Sequence, residues 1–256
     1  MPIQHKFLNY NEWNNGFYTE NSILKNNDYL PEVLFIGTFN HGWNWNPSDF
    51  FYGRGMYMWP NLANLFLHNE NILSRPRNLN NDNPTLEQIF EICKKGKISF
   101  ADIIQGIKEN INIVEGNKTI LLNNSFDWKD YKDKSLNYMG NQDWLEHNAK
   151  EICNYVNENP SIKNIYFTFK SAGNWIDHLK KYISENTPNA TSCSIFTPTG
   201  NGFGTNLQAP FNKRPFSILH SWVWNGSEHN VPVTKKGYGC FNHEWLIRNG
   251  VNPSDF

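Results

Sequence analysis

VLFIGTFNHGWNWNPSDFFYGRGMYMWPNLANLF, residues 33–66, is the stretch that decides the expected fold of this chain. It begins with an apolar run of strand length and continues into a loop rich in glycine, asparagine, histidine and tryptophan. It leads into residues 60–67, where apolar side chains recur at helical spacing behind a proline, a residue favoured at the start of a helix. Open α/β sheets bind their ligands where a strand leads into such a loop.

The segments that flank this stretch continue the alternation of strand and helix patterns. Apolar residues recur at helical spacing in residues 84–95, 144–156, 173–184 and 215–224. Short apolar runs typical of buried strands occupy residues 98–104, 119–122, 165–169 and 191–196. This alternation predicts an α/β fold, a three-layer α/β/α sandwich with a mainly parallel central sheet. We expect residues 1–30 to form a helical cover over one sheet edge.

Length and composition indicate one globular domain. The chain has 256 residues, of which 39% are hydrophobic and 18% are charged. We therefore expect a single domain over residues 1–256, with residues 225–256 as a C-terminal extension. The aromatic content of 15% favours stacking surfaces or a rigid pocket, although large side chains also fill cores. A net charge of −1 argues against nucleic-acid binding through overall charge and is compatible with a local basic groove.

The cysteine pattern and the apolar runs argue against several classes of protein. The four cysteines, at positions 93, 153, 193 and 240, form no CxxC pair, so the spacing of zinc ribbons and iron–sulfur sites is absent. The N-terminus MPIQHKFLNYNEW has no apolar signal region, and the longest apolar runs are of strand length. We therefore expect a cytoplasmic monomer with no membrane partner, no metal and no cofactor.

A second glycine-bearing loop, FTPTGNGFGTN at residues 196–206, follows the last predicted strand. Its glycines and its proline predict a tight turn with an exposed backbone. If both glycine loops leave a parallel sheet at strand carboxyl ends, they face each other across one cleft. Glycine-rich turns are also common as purely structural elements, so this loop alone does not indicate a function.

Five motifs, taken in order, resemble the uracil-DNA glycosylase superfamily and in particular its mismatch-specific and hypoxanthine-type branches. They are LFIGTF, DFFYGRGMYMWPNLANLF, SFADII, IYFTFKSAGNW and IFTPTGNG, and they extend over most of the chain, from about residue 33 to residue 224. The resemblance implies a uracil-DNA glycosylase-like fold. It also implies an enzyme that flips a damaged or modified base out of DNA and hydrolyses its N-glycosidic bond. DNA would be the partner, and the chemistry would need no metal.

The resemblance implies a base-binding site made largely by the first loop. Phe51 would stack on the flipped base and Tyr52 would close one wall. Of the adjacent Phe50 and Phe51, one is expected in the core, because consecutive residues on an extended segment face opposite ways. Asp102 lies where relatives line the base pocket and would read a base edge, with a helix cap as its alternative role. The implied base-binding residues are Gly37, Thr38, Phe39, Phe51, Tyr52, Met56 and Asp102.

The second loop and nearby cations are the implied DNA contacts. The loop would press on the DNA backbone at the lesion, and Lys170, which follows the strand at residues 165–169, would touch phosphate. The alternatives are a structural turn and a solvated lysine. The implied DNA-binding residues are Lys170, Thr197, Pro198, Thr199, Gly200, Asn201, Lys213 and Arg214.

Two positions differ from the superfamily pattern. Phe39 stands where relatives carry the Asp or Asn that activates water, and Met56 stands where they carry an asparagine. A methionine sulfur is a weak acceptor and does not orient water. Catalysis would then depend on Asn40, His41 or Asp49. Of these, Asp49 is the best general base by chemistry, unless it belongs only to a turn.

These differences leave two alternative functions open. One is a binding module that recognises a modified base without hydrolysing it. The other is a hydrolase of nucleosides or another small molecule, which the near-neutral charge favours. The Trp- and Asn-rich residues 41–46 suggest a bulky or hydroxylated base, with simple loop packing as the alternative.

Overall fold

The computed structural model describes residues 16–39, 51–52, 57–68, 84–108, 111–115, 118–122, 133–198, 214–224 and 241–255. Its strands are β1 (Phe17–Glu20), β2 (Ile23–Asn26), β3 (Val33–Gly37), β4 (Ile98–Asp102), β5 (Ile104–Ile107), β6 (Ile111–Glu115), β7 (Lys118–Leu122), β8 (Leu145–His147), β9 (Asn164–Phe167) and β10 (Thr191–Ser194). Its helices are α1 (Met58–Ala63), α2 (Leu86–Gly96), α3 (Asp133–Asn141), α4 (Ala149–Glu158), α5 (Asn174–Glu185), α6 (Arg214–Val223) and α7 (His243–Arg248). A π-helical turn, Asn64–His68, extends α1, and a 3₁₀ turn, Pro253–Asp255, follows α7.

The central sheet has six strands in the order β1-β2-β4-β3-β9-β10. Strands β4, β3, β9 and β10 run parallel to one another, whereas β1 and β2 form an antiparallel edge. The protein therefore has an α/β fold with a mixed, mostly parallel sheet. The register of β3 on β4 runs from Val33↔Ile98 to Gly37↔Asp102, which places the carboxyl ends of the two strands side by side.

Helices cover both faces of this sheet because its central strand alternates between two hydrophobic cores. Val33 and Phe35 of β3 face a core that includes residues of α1, α2, α6 and α7. Leu34 and Ile36 face the opposite core, which includes residues of α3, α4 and α5. All four side chains are 0% exposed, as expected of a strand covered on both sides. This arrangement is compatible with the predicted three-layer sandwich.

The helix predicted within residues 1–30 is wrong for the described part of that range, which forms the β1–β2 hairpin. Asn21 and Ser22 connect the strands as a two-residue turn. Both have positive φ angles, 51° and 55°, as in the type I′ turns that match hairpin twist. Phe17 is 1% exposed and Tyr18 is 40% exposed, which is the period-2 pattern of a half-buried strand.

The other differences are elements that the sequence patterns did not predict, namely β5, β6, α3 and α7, and shifts of element boundaries. Residues 144–156, predicted as one helix, divide into β8 and α4, because β8 pairs with β5 in a separate two-stranded sheet. The strand predicted at residues 98–104 ends at Asp102. Helix α2 ends at Gly96. Glycine is the usual left-handed residue after a helix, but here the residue with the left-handed conformation is the following Lys97, with a φ of 49°. The other predicted helices and strands are confirmed with shifted ends.

Candidate functional site

The carboxyl ends of three neighbouring strands bring polar groups together at one edge of the sheet. Strand β3 ends at Gly37, strand β4 ends at Asp102, and these two residues are register partners. Thr168 follows β9, and its backbone N–H and its Oγ1 both donate to the carbonyl oxygen of Ile36, at 3.0 and 3.2 Å. Loops leave parallel strands at this edge, which is where ligands bind in open α/β sheets.

Gly37 is the point on which two of these groups converge. A Cβ atom at this position would lie 2.8 Å from Asp102 Oδ1 and 2.8 Å from Tyr52 Oη. Both distances are shorter than a side-chain carbon tolerates, so a larger residue here would displace one or both oxygens. Because both oxygens lie close to the same point, the carboxyl of Asp102 and the hydroxyl of Tyr52 are near neighbours.

Asp102 is a buried acid at the centre of this site. It is 5% exposed, and burial raises the pKa of its carboxyl to about 8. At neutral pH this carboxyl is therefore mostly protonated and offers one hydrogen-bond donor together with an acceptor oxygen. Strand β5 begins at Ile104, so the alternative assignment of Asp102 as a helix cap is wrong.

The hydroxyl of Tyr52 links the first loop to β9. Its oxygen lies 2.7 Å from Thr168 Oγ1. Since the only hydroxyl proton of Thr168 goes to the Ile36 carbonyl oxygen, Tyr52 is the donor in this pair and keeps its lone pairs for another donor. Burial, followed by the nearby Asp102 charge, raises the pKa of Tyr52 while the Thr168 hydrogen bond opposes the shift. Tyr52 also has a φ of 60°, which is unusual for a bulky residue.

Two aromatic residues that the resemblance assigns to the base lie in the core. Phe51 is 1% exposed, and its ring stacks on the ring of Phe100 with centroids 5.7 Å apart. Trp59 holds this segment by donating from Nε1 to the Phe51 carbonyl oxygen at 2.8 Å. Phe39 is 9% exposed and belongs to the core on the other face of the sheet. This burial argues against base contacts by Phe51 and Phe39, and among the described residues Tyr52 is the aromatic residue that borders Gly37.

The second predicted loop approaches the first. The carbonyl oxygen of Pro198, shortly after β10, accepts a hydrogen bond from the backbone N–H of Tyr57 at 3.3 Å. Tyr57 directly precedes α1. Thr197 is half-buried and Pro198 is buried. Lys170 lies two residues beyond Thr168 and is exposed.

Several predicted site residues lie outside the described part of the chain. These are Asn40, His41, Asp49 and Met56 of the first loop, and Thr199, Gly200, Asn201 and Lys213 in and after the second. Arg214 begins α6, and its side chain is also outside the described part. Thr38 is half-buried beside Gly37, and its carbonyl oxygen accepts a hydrogen bond from the N–H of Ile104 at 2.9 Å.

Thr168 is a site residue that the sequence did not reveal. Thr168 lies inside the strand predicted at residues 165–169, and the sequence pattern therefore treats it as an ordinary residue of a buried strand. Strand β9 in fact ends at Phe167. One signal in the sequence could have identified Thr168: it is a polar residue near the end of an apolar run. Residues just beyond parallel strands often supply the side chains of a binding site.

Comparisons with protein-family models, with curated proteins and with solved structures find no match to this chain. Membership of the uracil-DNA glycosylase superfamily thus stays a hypothesis based on the sequence motifs. Within the described ranges, no group of three or more His, Cys, Asp and Glu side chains is arranged to hold a metal ion. None of the helices in the described residues is long and apolar enough to cross a bilayer.

Proposed function

We propose that this protein is a monofunctional DNA glycosylase with a uracil-DNA glycosylase-like fold, acting on a damaged or modified base. The observation that carries the proposal is the convergence of Asp102 and Tyr52 on Gly37, with Thr168 bound to Tyr52, at the carboxyl ends of parallel strands. This is the edge at which α/β sheets bind ligands. The reaction itself is taken from the resemblance of the sequence motifs.

The reaction needs a hydrogen-bond donor that stabilises the departing base. Water adds its oxygen to C1′ of the sugar, the C1′–N bond breaks, and the electron pair leaves with the base. The sugar becomes cation-like in the transition state, while negative charge develops on the base, and a fixed donor at that charge lowers the barrier. A protonated Asp102 is such a donor, because its pKa of about 8 keeps the proton in place at neutral pH. The water would be activated by Asn40, His41 or Asp49, as proposed from the sequence.

The protonation state of Asp102 decides which groups of a base edge it can pair with. A neutral carboxyl presents one donor and one acceptor, which complements an edge with adjacent C=O and N–H groups, as in uracil and hypoxanthine. An ionised carboxyl presents acceptors only, which would favour an amino group instead. The amino group and neighbouring ring nitrogen of cytosine or adenine also supply a donor and an acceptor, so the preference for uracil or hypoxanthine comes from the resemblance of the motifs and not from the neutral form of Asp102.

A panel of duplexes tests the proposal. Oligonucleotides carrying uracil, hypoxanthine, 5-hydroxymethylcytosine or its glucosylated form are incubated with the protein, and abasic sites are detected by alkaline strand cleavage. We expect product from uracil or hypoxanthine, and a rate lowered about 100-fold by Asp102→Ala. Asp143→Asn is the control, because the Asp143 side chain is 90% exposed. Wild-type protein that binds these duplexes and forms no abasic site on any of them would count against the enzyme.

A second candidate function is recognition of a modified base without hydrolysis. It is favoured by Phe39, which is packed in the core where the superfamily carries its water-activating Asp or Asn. The same panel, measured as binding, distinguishes the two functions. Preferential binding of one modified duplex without product, both in wild type and in Met56→Asn, would support a binding module. Failure to bind any duplex at low salt would instead favour the small-molecule hydrolase.

A further inference from the structure

Lys180 joins the two chain segments that leave β9 and β10. From α5, its Nζ donates to the carbonyl oxygen of Lys170 at 2.8 Å and to Ser194 Oγ at 2.5 Å. Lys170 lies just beyond β9, and Ser194 is the last residue of β10. One ammonium group therefore bridges the exits of two neighbouring parallel strands, which the backbone bond from the Ile195 N–H to the Phe167 carbonyl oxygen also joins. We call this pair of hydrogen bonds the Lys180 clamp.

Two aromatic rings lie within reach of the same ammonium group. Lys180 Nζ lies 5.3 Å from the ring centroid of Phe167 and 5.6 Å from that of Phe169, which is within cation–π range. Burial lowers the pKa of Lys180, and the nearby Asp177 opposes the shift. Withdrawing an ammonium group from water is unfavourable unless its donors are satisfied. The directed hydrogen bonds and the two rings supply that compensation and leave the group little freedom to move.

Both clamped segments continue directly to the proposed site. On the β9 side, Thr168 Oγ1 lies 2.7 Å from Tyr52 Oη, two residues before Lys170. On the β10 side, the carbonyl oxygen of Pro198 accepts from the N–H of Tyr57 at the start of α1. A change in the spacing of the two exits would therefore displace Thr168, the partner of the Tyr52 hydroxyl, and the residue that holds the start of α1.

We propose that Lys180 is a positioning residue, which holds the exits of β9 and β10 at the spacing that the base-binding site requires. It contacts neither base nor DNA, and its effect passes through Thr168 to Tyr52 and through Pro198 to α1. The catalytic consequence rests on the proposed glycosylase function. The clamp itself is independent of that function and is measured separately.

Four variants separate the clamp from general destabilisation. Lys180→Met keeps the apolar stem and removes both hydrogen bonds, whereas Lys180→Arg keeps the charge and donors. Ser194→Ala removes one acceptor only, and it replaces Lys180→Met if that variant fails to fold. Lys181→Met is the matched control, because Lys181 is the next residue of α5 and its side chain is 71% exposed.

The first measurement is amide hydrogen exchange on the full-length protein. We expect exchange at least about tenfold faster in peptides covering residues 168–173 and 194–198 in Lys180→Met, and a smaller change in Ser194→Ala. Lys181→Met should exchange as wild type does. Equal exchange in Lys180→Met and Lys181→Met would overturn the clamp.

The second measurement is single-turnover cleavage of the duplex that the wild type processes. Lys180→Met should lower the rate about 10- to 100-fold, because small displacements at a site carry penalties of this size. Its DNA affinity should stay within about twofold, and Lys180→Arg should recover part of the rate. Faster exchange with an unchanged rate would overturn the positioning role. A wild type inactive on every duplex would contradict the proposed function, while hydrogen exchange would still decide the clamp.

Discussion

Replacing Asp102 by asparagine tests the chemistry of the site through stability and assumes no activity. Asparagine keeps the shape, a donor and an acceptor, but it does not ionise. Burial raises the pKa of the Asp102 carboxyl from 3.8 to about 8. Between these values the folded protein retains a proton that the unfolded chain releases. The wild-type free energy of unfolding therefore falls as pH rises from about 4 to about 8.

The magnitude follows from the size of the pKa shift. One pKa unit corresponds to about 1.36 kcal/mol, so at pH 7 the titration of Asp102 lowers the stability of the wild type by about 4 kcal/mol. This is a large part of the roughly 5–15 kcal/mol that stabilises an ordinary protein. We expect the free energy of unfolding of Asp102→Asn, relative to wild type, to increase by roughly 3–4 kcal/mol between pH 5 and pH 8. The difference should level off at about pH 9.

Urea unfolding at pH 5, 6, 7 and 8 measures this difference. Asp143→Asn, at a side chain that is 90% exposed, is the control and should stay within about 0.5 kcal/mol of wild type at each pH. If the difference between Asp102→Asn and wild type is constant over this range, Asp102 ionises in the folded protein as it does in the unfolded chain. The proposed role of a neutral Asp102 as a donor to the base would then be refuted.

Four further variants test the site geometry. Gly37→Ala should lower stability by about 1–3 kcal/mol in urea, because its Cβ would meet two oxygens at 2.8 Å; a neutral effect would show that they do not converge there. Tyr52→Phe should lower stability by about 1 kcal/mol, and more than Tyr138→Phe, at a residue 48% exposed. Phe51→Ala should lower stability by about 3–5 kcal/mol, whereas a loss confined to DNA affinity would reinstate base stacking by its ring. Lys170→Ala should reduce the slope of log affinity against log salt by about 1; an unchanged slope would place its side chain away from phosphate.

The amino-acid sequence by itself determined the class of fold. The apolar run that became β3 and the helical spacing that became α2 and α5 were readable because strand and helix periods are properties of the backbone. The β1–β2 hairpin was not readable in this way. Its two strands have four residues each, and over so short a length the alternation of a strand cannot be distinguished from the spacing of apolar residues in a helix. The resemblance of the motifs also pointed to Gly37 and Asp102 as residues of the base-binding site.

The tertiary structure alone decided which side chains meet. Phe51 and Tyr52 are adjacent aromatic residues, and the stacking of Phe51 on Phe100 together with the positive φ of Tyr52 determines which of them borders the site. Asp102 reaches Gly37 because β4 lies beside β3 in the sheet, and its raised pKa comes from burial by residues distant along the chain. Local sequence determines backbone periods. The pairing of strands and the burial of groups such as the Asp102 carboxyl depend on contacts between segments far apart in sequence, and a local sequence pattern does not contain that information.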